Sequence, residues 1–211
     1  MNIHSITIEA ASTDEVTSAE DFYRDAFGLD GRISVRLGDA STSGFRGFAP
    51  SLILAQPADV DALFARALEA GAEVLKPVVK SLWGYGGSLR APDGTVWQIA
   101  SANKKNTGEA TGEIDRLVLL LGVSDVKASK SFYSSQGVTV SKSFGSKYVE
   151  FDSGPITLAL YKRENLAKQV GVEDGAGTGS HRIVVNADGS FDDPDGFAWE
   201  AGVVQRGRSS R

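Results

Sequence analysis

Hydrophobic and polar residues alternate along several short segments of the chain, and two of these segments begin with the same turn. The tripeptide Pro-Asp-Gly occurs at residues 92–94 and again at residues 194–196. Proline fixes one backbone dihedral, aspartate bonds the backbone ahead and glycine accepts positive φ, so both tripeptides predict turns. The alternation after each turn predicts a strand with two distinct faces. We expect Trp97 and Trp199 on a packed face and Gln98 and Glu200 on the opposite face, which would border a site.

Two segments carry apolar residues at helical spacing. The first follows a capping box at Ser12-Thr-Asp-Glu15 and ends at Gly28, and the second covers residues 58–71 and ends at Gly71. Strands are predicted around these helices, with residues 44–48 as the hairpin partner of the strand at 32–37. The other predicted strands are 3–8, 51–55, 72–77, 95–99, 138–142, 147–151 and 156–161.

The pattern then restarts, which indicates an internal duplication. Residues 103–113 are polar and lack apolar periodicity, as a linker does. Four landmarks recur in the same order on its two sides. They are Ile3–Ile8 with Ile114–Leu119, Phe22-Tyr23 with Phe132-Tyr133, Ser51–Leu54 with His181–Val184, and the two Pro-Asp-Gly turns. We therefore predict a first domain at 1–102, a second at 114–203 and a disordered tail at 204–211.

The second copy is shorter at its end. From Ser51 to Gln98 is 47 residues, whereas from His181 to Glu200 is only 19. A stretch of 19 residues holds two strands and a connection but no helix as well. We therefore expect the second copy to lack the counterpart of the helix at 58–71.

Composition narrows the function classes. The 211 residues carry a net charge of −5, which disfavours nucleic acid as a partner. Cysteine is absent, so thiol catalysis, disulfides and cysteine metal sites are excluded. The first strand begins almost at Met1 and no long apolar run is present, so neither a signal peptide nor a membrane span is expected. A cytoplasmic protein is the resulting expectation.

The order of these motifs resembles that of the vicinal oxygen chelate superfamily, which includes glyoxalase I, bleomycin-resistance proteins and extradiol dioxygenases. The shared marks are Phe-Tyr before a glycine, Glu-Ala-Gly-Ala, Trp-Gly and Pro-Asp-Gly-x-x-Trp. The resemblance implies an α+β fold with two glyoxalase-like domains. Each would be built from βαβββ modules with curved mixed sheets, and the last module would be truncated.

The resemblance also implies positions for a site, because metal ligands in this superfamily lie on the first and last strands of each module. The matching positions are Ser5, Ser51 and Gln98 in the first domain and Arg116, His181 and Glu200 in the second. The two serines and the amide of the first domain would make a poor divalent metal site, and the arginine of the second repels metal. The side chain of His4 would face the other way, and we interpret it as structural.

Three function classes remain open, and the sequence does not decide whether the chain is an enzyme. The first is a protein that binds a small apolar or aromatic molecule in a sheet-lined cup without a metal or other cofactor. Arg116 would then hold an anionic or carbonyl oxygen, and His181 would form a hydrogen bond. The alternative is a metal-dependent lyase, isomerase or extradiol-type dioxygenase that binds Fe, Zn or Mn through His181 and Glu200. The third is a scaffold with closed pockets, in which Arg116 pairs with Glu200 in a buried polar cluster.

The segment Trp83-Gly-Tyr-Gly-Gly87 is a further candidate, because Trp83 and Tyr85 combine an apolar ring with a polar group and could contact a ligand. A phosphate cradle is disfavoured there, since neither Lys-Ser nor Lys-Thr follows and no helix begins. A Ser-His-Asp hydrolase has no supporting motif. A homodimer is left open as an assembly.

Overall fold

Two mixed β-sheets form the framework of the molecule, and a computed structural model describes residues 1–29, 31–38, 42–82, 84–175 and 179–202 of it. The strands are β1 Ile3–Ala10, β2 Ile33–Leu37, β3 Phe48–Ile53, β4 Glu73–Ser81, β5 Gly84–Arg90, β6 Val96–Ser101, β7 Arg116–Val123, β8 Thr139–Ser143, β9 Tyr148–Asp152, β10 Ile156–Lys162, β11 Ile183–Ala187, β12 Phe191–Asp192 and β13 Ala198–Ala201. The helices are α1 Thr13–Phe22, which continues as a π-helical turn at Tyr23–Phe27, α2 Pro57–Glu69, α3 Val126–Ser135 and α4 Arg163–Val170. This is the predicted α+β class.

Each sheet combines strands from both halves of the chain. One sheet has five strands in the order β12-β13-β11-β1-β2, and the other has eight in the order β4-β5-β6-β3-β7-β10-β9-β8. The eight-stranded sheet contains two complete βαβββ modules, β3-α2-β4-β5-β6 and β7-α3-β8-β9-β10, joined by the antiparallel pair β3–β7. The five-stranded sheet joins β1 to β11 in the same way. The domain boundaries at 102 and 114 stay a prediction, but hydrogen bonds connect the two halves through both sheets.

The shortening of the last module is confirmed. Residues 183–202 contain β11, β12 and β13 and no helix. The predicted hairpin at 44–48 is wrong: β2 pairs with β1 in parallel and is an edge strand within the described residues. Phe48 instead begins β3, whose partners are β6 and β7. The predicted tail at 204–211 lies outside the described residues.

The repeated Phe-Tyr and Pro-Asp-Gly motifs meet inside the core. The Tyr23 hydroxyl donates to Asp93 Oδ2 at 2.7 Å, and the Tyr133 hydroxyl donates to Asp193 Oδ2 at 2.5 Å. Each tyrosine ring also packs against the tryptophan of the following strand, with centroids 5.4 Å apart in the first copy and 5.3 Å in the second. The duplication seen in the sequence is therefore a duplicated buried contact between a helix end and a turn.

The segment between the halves is tied to the start of α2 although residues 102–115 contain no helix or strand. Gln56 Oε1 accepts hydrogen bonds from the backbone of Thr107 at 2.7 Å and of Gly108 at 3.1 Å. Asp59 Oδ1 accepts from Thr111 N at 2.6 Å. None of the helices in the described ranges is long and apolar enough to cross a membrane.

Candidate functional site

The two faces of the eight-stranded sheet have different partners. One face packs against α2 and α3 in the main core, which includes Leu52, Trp97 and Leu117. The opposite face, called the inner face here, carries Ala49, Val96, Val118, Leu120 and Ala159 and packs against α4. Alternation along β3 and β6 places Ser51 and Gln98 on the inner face as well, as the sequence predicts.

Helix α4 covers the middle of the inner face. Its buried residues are Leu166, Ala167 and Val170. The Ser88 hydroxyl donates to Val170 O at 2.7 Å, and Lys76 Nζ donates to Gln169 O at 3.0 Å. This helix was not predicted from the sequence, because it has only eight residues and most of them are polar. The spacing of Leu166 and Val170 followed by a left-handed glycine at position 171 was the available signal.

A cleft of about 640 Å³ lies beside the C-terminal end of α4, between β4, β5 and the segment around Tyr148. Aromatic side chains form one wall. The Tyr148 and Tyr161 rings have centroids 4.9 Å apart, and Phe144 lies 6.0 Å from Tyr148 and is 65% exposed. The charged residues that line the cleft within the described chain are Lys76 and Lys147. The cleft therefore combines ring surfaces with positive charge in a protein of net negative charge.

Gln98 presents a hydrogen-bond donor to this cleft. Its Oε1 accepts from Gln169 Nε2 at 3.1 Å and from Ser51 Oγ at 3.4 Å. Gln98 lines the cleft, and both hydrogen bonds of its side chain to described residues are made by Oε1 and not by Nε2. The two neighbouring donors fix which end of the amide faces them, so the amide N–H groups remain for a ligand.

A charged cluster lies next to the aromatic wall on the same face. The Glu150 side chain is 9% exposed, and its carboxylate accepts from Tyr148 Oη at 2.6 Å and Lys142 Nζ at 3.2 Å. Arg116 Nη1 lies 3.6 Å from it. Burial alone raises the pKa of Glu150, but these hydrogen bonds and positive charges outweigh burial and lower it below the ordinary value. Burial and the bond to Glu150 raise the pKa of the Tyr148 hydroxyl, so both groups are held in their ordinary protonation states.

Arg116, His181 and Glu200 are not brought together. Arg116 begins β7 in the eight-stranded sheet, where its partner is Glu150. Glu200 lies on β13 in the five-stranded sheet and accepts from Arg36 at 3.2 Å. The predicted pairing of Arg116 with Glu200 is therefore wrong, because the strands that carry them belong to different sheets.

His181 lies before β11 and is held by backbone groups. Its Nδ1 lies 2.5 Å from Arg46 O and its Nε2 lies 3.0 Å from Asp195 O, while its ring stacks on Phe197 at 3.8 Å between centroids. Asn186 pairs with Glu200 as Ser51 pairs with Gln98, so the counterpart of Ser51 is Asn186 and not His181, which lies five residues earlier. An offset by an odd number of residues exchanges the two faces of a strand. Ile183 and its alternate neighbours face the core, so the position beside Ser5 and Glu200 is occupied by Asn186.

Asn186 is the site-face residue that sequence reasoning missed. It pairs with Ser5 on β1 and with Glu200 on β13. Its Nδ2 donates to Thr7 Oγ1 at 2.8 Å, and Thr7 Oγ1 lies 2.9 Å from Ser34 Oγ. Next to Asn186, Thr7 and Ser34, the side chain of Arg36 bridges two carboxylates. Its Nη2 lies 2.8 Å from Glu9 Oε1 and 3.2 Å from Glu200 Oε1.

The side chains at these positions do not fit a divalent metal ion. On the inner face of the eight-stranded sheet the donors are a serine, an amide and an arginine, and on the five-stranded sheet Glu200 already neutralises a guanidinium. In the described ranges no three His, Asp or Glu side chains are grouped in a way that could hold a metal. This donor chemistry is poor for Fe, Zn or Mn.

Of the other two predicted contacts, Trp83 lies outside the described residues. Tyr85 is one of the residues that line the cleft, although its side chain extends towards α2. The Tyr85 hydroxyl donates to Asp61 of α2 at 2.7 Å, and its ring packs against the main core. His4 forms a 2.7 Å contact with the exposed Asp188, which agrees with a structural role.

Comparison with solved structures places the fold. Glyoxalase I from Zea mays matches with a TM-score of 0.57 at 14% identity, over 94% of this chain and 90% of that one. A protein of Bacillus subtilis named as a candidate dioxygenase matches with a TM-score of 0.52 at 15% identity, over 92% of this chain and 72% of that one. No protein-family model and no curated protein matches the sequence. Two matches that span nearly the whole chain, together with the two complete βαβββ modules, give one conclusion: the chain has the fold of the vicinal oxygen chelate superfamily.

Proposed function

We propose that this protein binds a planar aromatic small molecule in the cleft beside α4, without a metal ion. The observation that carries the proposal is the combination of a tyrosine wall with a free amide donor. Tyr148 and Tyr161 offer ring surfaces at one side of the cleft, and Gln98 Nε2 is available at its base.

The chemistry of the cleft defines what it accepts. Offset stacking on a tyrosine is worth about 0.5–1.5 kcal/mol beyond the burial of area, and the volume of about 640 Å³ lies in the range of small-molecule sites. The Gln98 amide would donate to a carbonyl or carboxylate oxygen of the ligand, and Lys147 adds positive charge at the cleft wall. A planar molecule with one oxygen-bearing group therefore matches both parts of the lining.

Glu150 would act on binding through its neighbours. Its carboxylate accepts the Tyr148 hydroxyl proton, which fixes the orientation of that ring. Lys142 and Arg116 neutralise the carboxylate, so it would not repel an anionic ligand. The role first assigned to Arg116, direct contact with an anionic oxygen, becomes in this proposal the neutralisation of Glu150.

The metal-dependent alternative draws no support from the described residues. It requires His181 and Glu200 as ligands, but His181 is engaged by two backbone oxygens and Glu200 by Arg36. Activity as a lyase, isomerase or dioxygenase is therefore not proposed.

Calorimetric titration of the full chain with 2-naphthoate tests the proposal. We expect saturable binding that is unchanged by a chelator. Binding should weaken about tenfold in Gln98→Leu, since the lost bond is charge-assisted, and also in Tyr161→Leu. Phe132→Leu is the matched control, because it removes a partly buried ring that is not among the residues lining the cleft. Lack of saturable binding to the unmodified chain, or equal affinity in all variants, would refute the proposal.

A further inference from the structure

A second cavity lies on the other side of the C-terminal end of α4. It has a volume of about 600 Å³ and lies between the segment before β3, the first Pro-Asp-Gly turn and residues 171–173. Three arginines line it, namely Arg46, Arg90 and Arg182, and we call this cavity the arginine pocket. Among the described lining residues, Glu173 is the single acidic side chain. Among the described lining residues positive charge therefore predominates, although the chain has a net charge of −5.

Arg46 is a partly buried cation whose hydrogen-bond acceptors are neutral. Its Nη1 donates to Thr95 Oγ1 at 3.3 Å and its Nη2 donates to the backbone oxygen of Asp93. No carboxylate of the described residues lies within ion-pair distance of it, and the Asp93 carboxylate is occupied by Tyr23 and Thr95. Burial lowers the pKa of Arg46, the nearby charge of Asp93 raises it, and the like charge of Arg182 lowers it. A partly buried guanidinium that forms no direct ion pair is stabilised when an anion binds to its free donors.

Arg182 is held in a strained backbone conformation. Its φ is +51°, and it is the one non-glycine residue with positive φ in the described part of the chain. Side chains with a Cβ rarely adopt this region, and such strain is concentrated at functional sites. The neighbouring contact from Arg182 N to Ser180 Oγ at 3.1 Å supports the turn. Arg182 also supplies a second positive charge near Arg46, and the two like charges repel each other.

Arg90 supplies the third cation, and it remains accessible. Its side chain is 44% exposed, and its nearest carboxylate is Glu73 at 3.7 Å, which is itself 74% exposed. An exposed pair of this kind is weak, so Arg90 can exchange that partner for a ligand at little cost. Guanidinium groups bind carboxylate and phosphate oxygens through paired N–H donors.

We infer that the arginine pocket binds a small oxyanion, namely the carboxylate or phosphate group of a metabolite. Such a group would neutralise Arg46, offset the repulsion between Arg46 and Arg182, and take the free donors of Arg90. The inference does not rest on the aromatic cleft, which is lined by different side chains.

The test is calorimetric titration of the full chain with inorganic phosphate and, separately, with succinate at constant ionic strength. Arg182→Gly removes a cation, and glycine adopts φ of +51° without strain, so we expect the variant to keep the fold. We expect one saturable anion site in the parent, weakened about tenfold or more in Arg182→Gly and in Arg90→Gln. Arg24→Gln, which removes an exposed arginine outside the pocket, should bind as the parent does.

Saturable binding of either anion would support the inference. The anion that binds more tightly would identify the group as phosphate or carboxylate. Two results would overturn it. One is the lack of saturable binding of both anions to the parent, and the other is equal affinity of parent and Arg182→Gly for the anion that binds. Thermal unfolding of each variant in buffer without either anion checks that a loss of binding is not a loss of fold.

Discussion

Removing the buried tyrosine hydroxyls should destabilise the fold by different amounts in its two copies. In Tyr133→Phe, Asp193 Oδ2 loses the only donor it has among the described residues, since Asp195 N and Phe197 N both donate to Oδ1. In Tyr23→Phe, Asp93 Oδ2 still accepts from Thr95 Oγ1 at 2.9 Å. A hydrogen bond to a charged group contributes about 1.5–3 kcal/mol. We therefore expect the free energy of unfolding to fall by an amount near the upper end of this range in Tyr133→Phe and near its lower end in Tyr23→Phe.

The loss in Tyr133→Phe should also depend on pH. Burial raises the pKa of Asp193, against the effect of its hydrogen bonds, and removal of the Tyr133 donor raises that pKa further. A carboxyl group with a raised folded-state pKa stabilises the fold at low pH, and this stability is lost as the pH rises through that pKa. The difference between parent and variant should therefore be largest at neutral pH and shrink as Asp193 becomes protonated.

Guanidinium unfolding followed by circular dichroism gives the free energy of unfolding of each variant, and thermal unfolding gives a second measure of the same loss of stability. For a chain of this size 1 kcal/mol shifts the Tm by about 2–4 °C, so Tyr133→Phe should lower the Tm by roughly 6–12 °C. Tyr85→Phe is the control, because it removes the same hydroxyl from an exposed bond to Asp61 and should cost less than about 0.5 kcal/mol. Equal midpoints for Tyr133→Phe and the parent, or a loss as large in Tyr85→Phe, would refute the reasoning.

Three further predictions follow from the sheets and the charged cluster. Because the pKa of Glu150 is lowered, its contribution to stability is present above the ordinary carboxyl pKa and lost as the pH falls through the folded-state value. Glu150→Gln should thus unfold more easily than the parent at pH 7 and match it in acid. The fragments 1–104 and 112–211 should not fold separately, because both sheets join the halves, and circular dichroism should recover the native spectrum only when they are mixed. Arg116→His should gain no zinc affinity by calorimetry, because Glu200 lies in the other sheet.

Local patterns predicted the strands and their faces well. Alternation after each Pro-Asp-Gly turn placed Trp97 and Trp199 in the core and Gln98 and Glu200 on the opposite faces, as the structure has them. The missing helix after His181 followed from residue counts alone. These features depend on the two-residue period of a strand and on the number of residues between landmarks, and both can be read from a single sequence.

The pairing of the sheets and the register of β11 could not be predicted in the same way. β1 pairs with β11, a contact between segments about 180 residues apart, and nothing local selects it over a pairing within one half. The start of β11 reads Ile183-Val-Val185, and three consecutive apolar residues do not reveal which face is buried. The register error at His181 followed from this, and with it the wrong grouping of the candidate site. Helix α4 was too short and too polar to stand out, although it decides how much of the inner face stays open.

The central claim is that the cleft beside α4 binds a planar aromatic molecule through Gln98 and the tyrosine wall. Its most direct measurement is a nuclear magnetic resonance titration of the ¹⁵N-labelled full chain with 2-naphthoate, following the side-chain amide signals of Gln98 and Gln169. We predict saturable shifts of both amide pairs, with the Gln98 assignment verified by the loss of its signals in Gln98→Leu. Unchanged amide signals up to the solubility limit of the ligand, or saturable shifts confined to residues outside the cleft, would contradict the account.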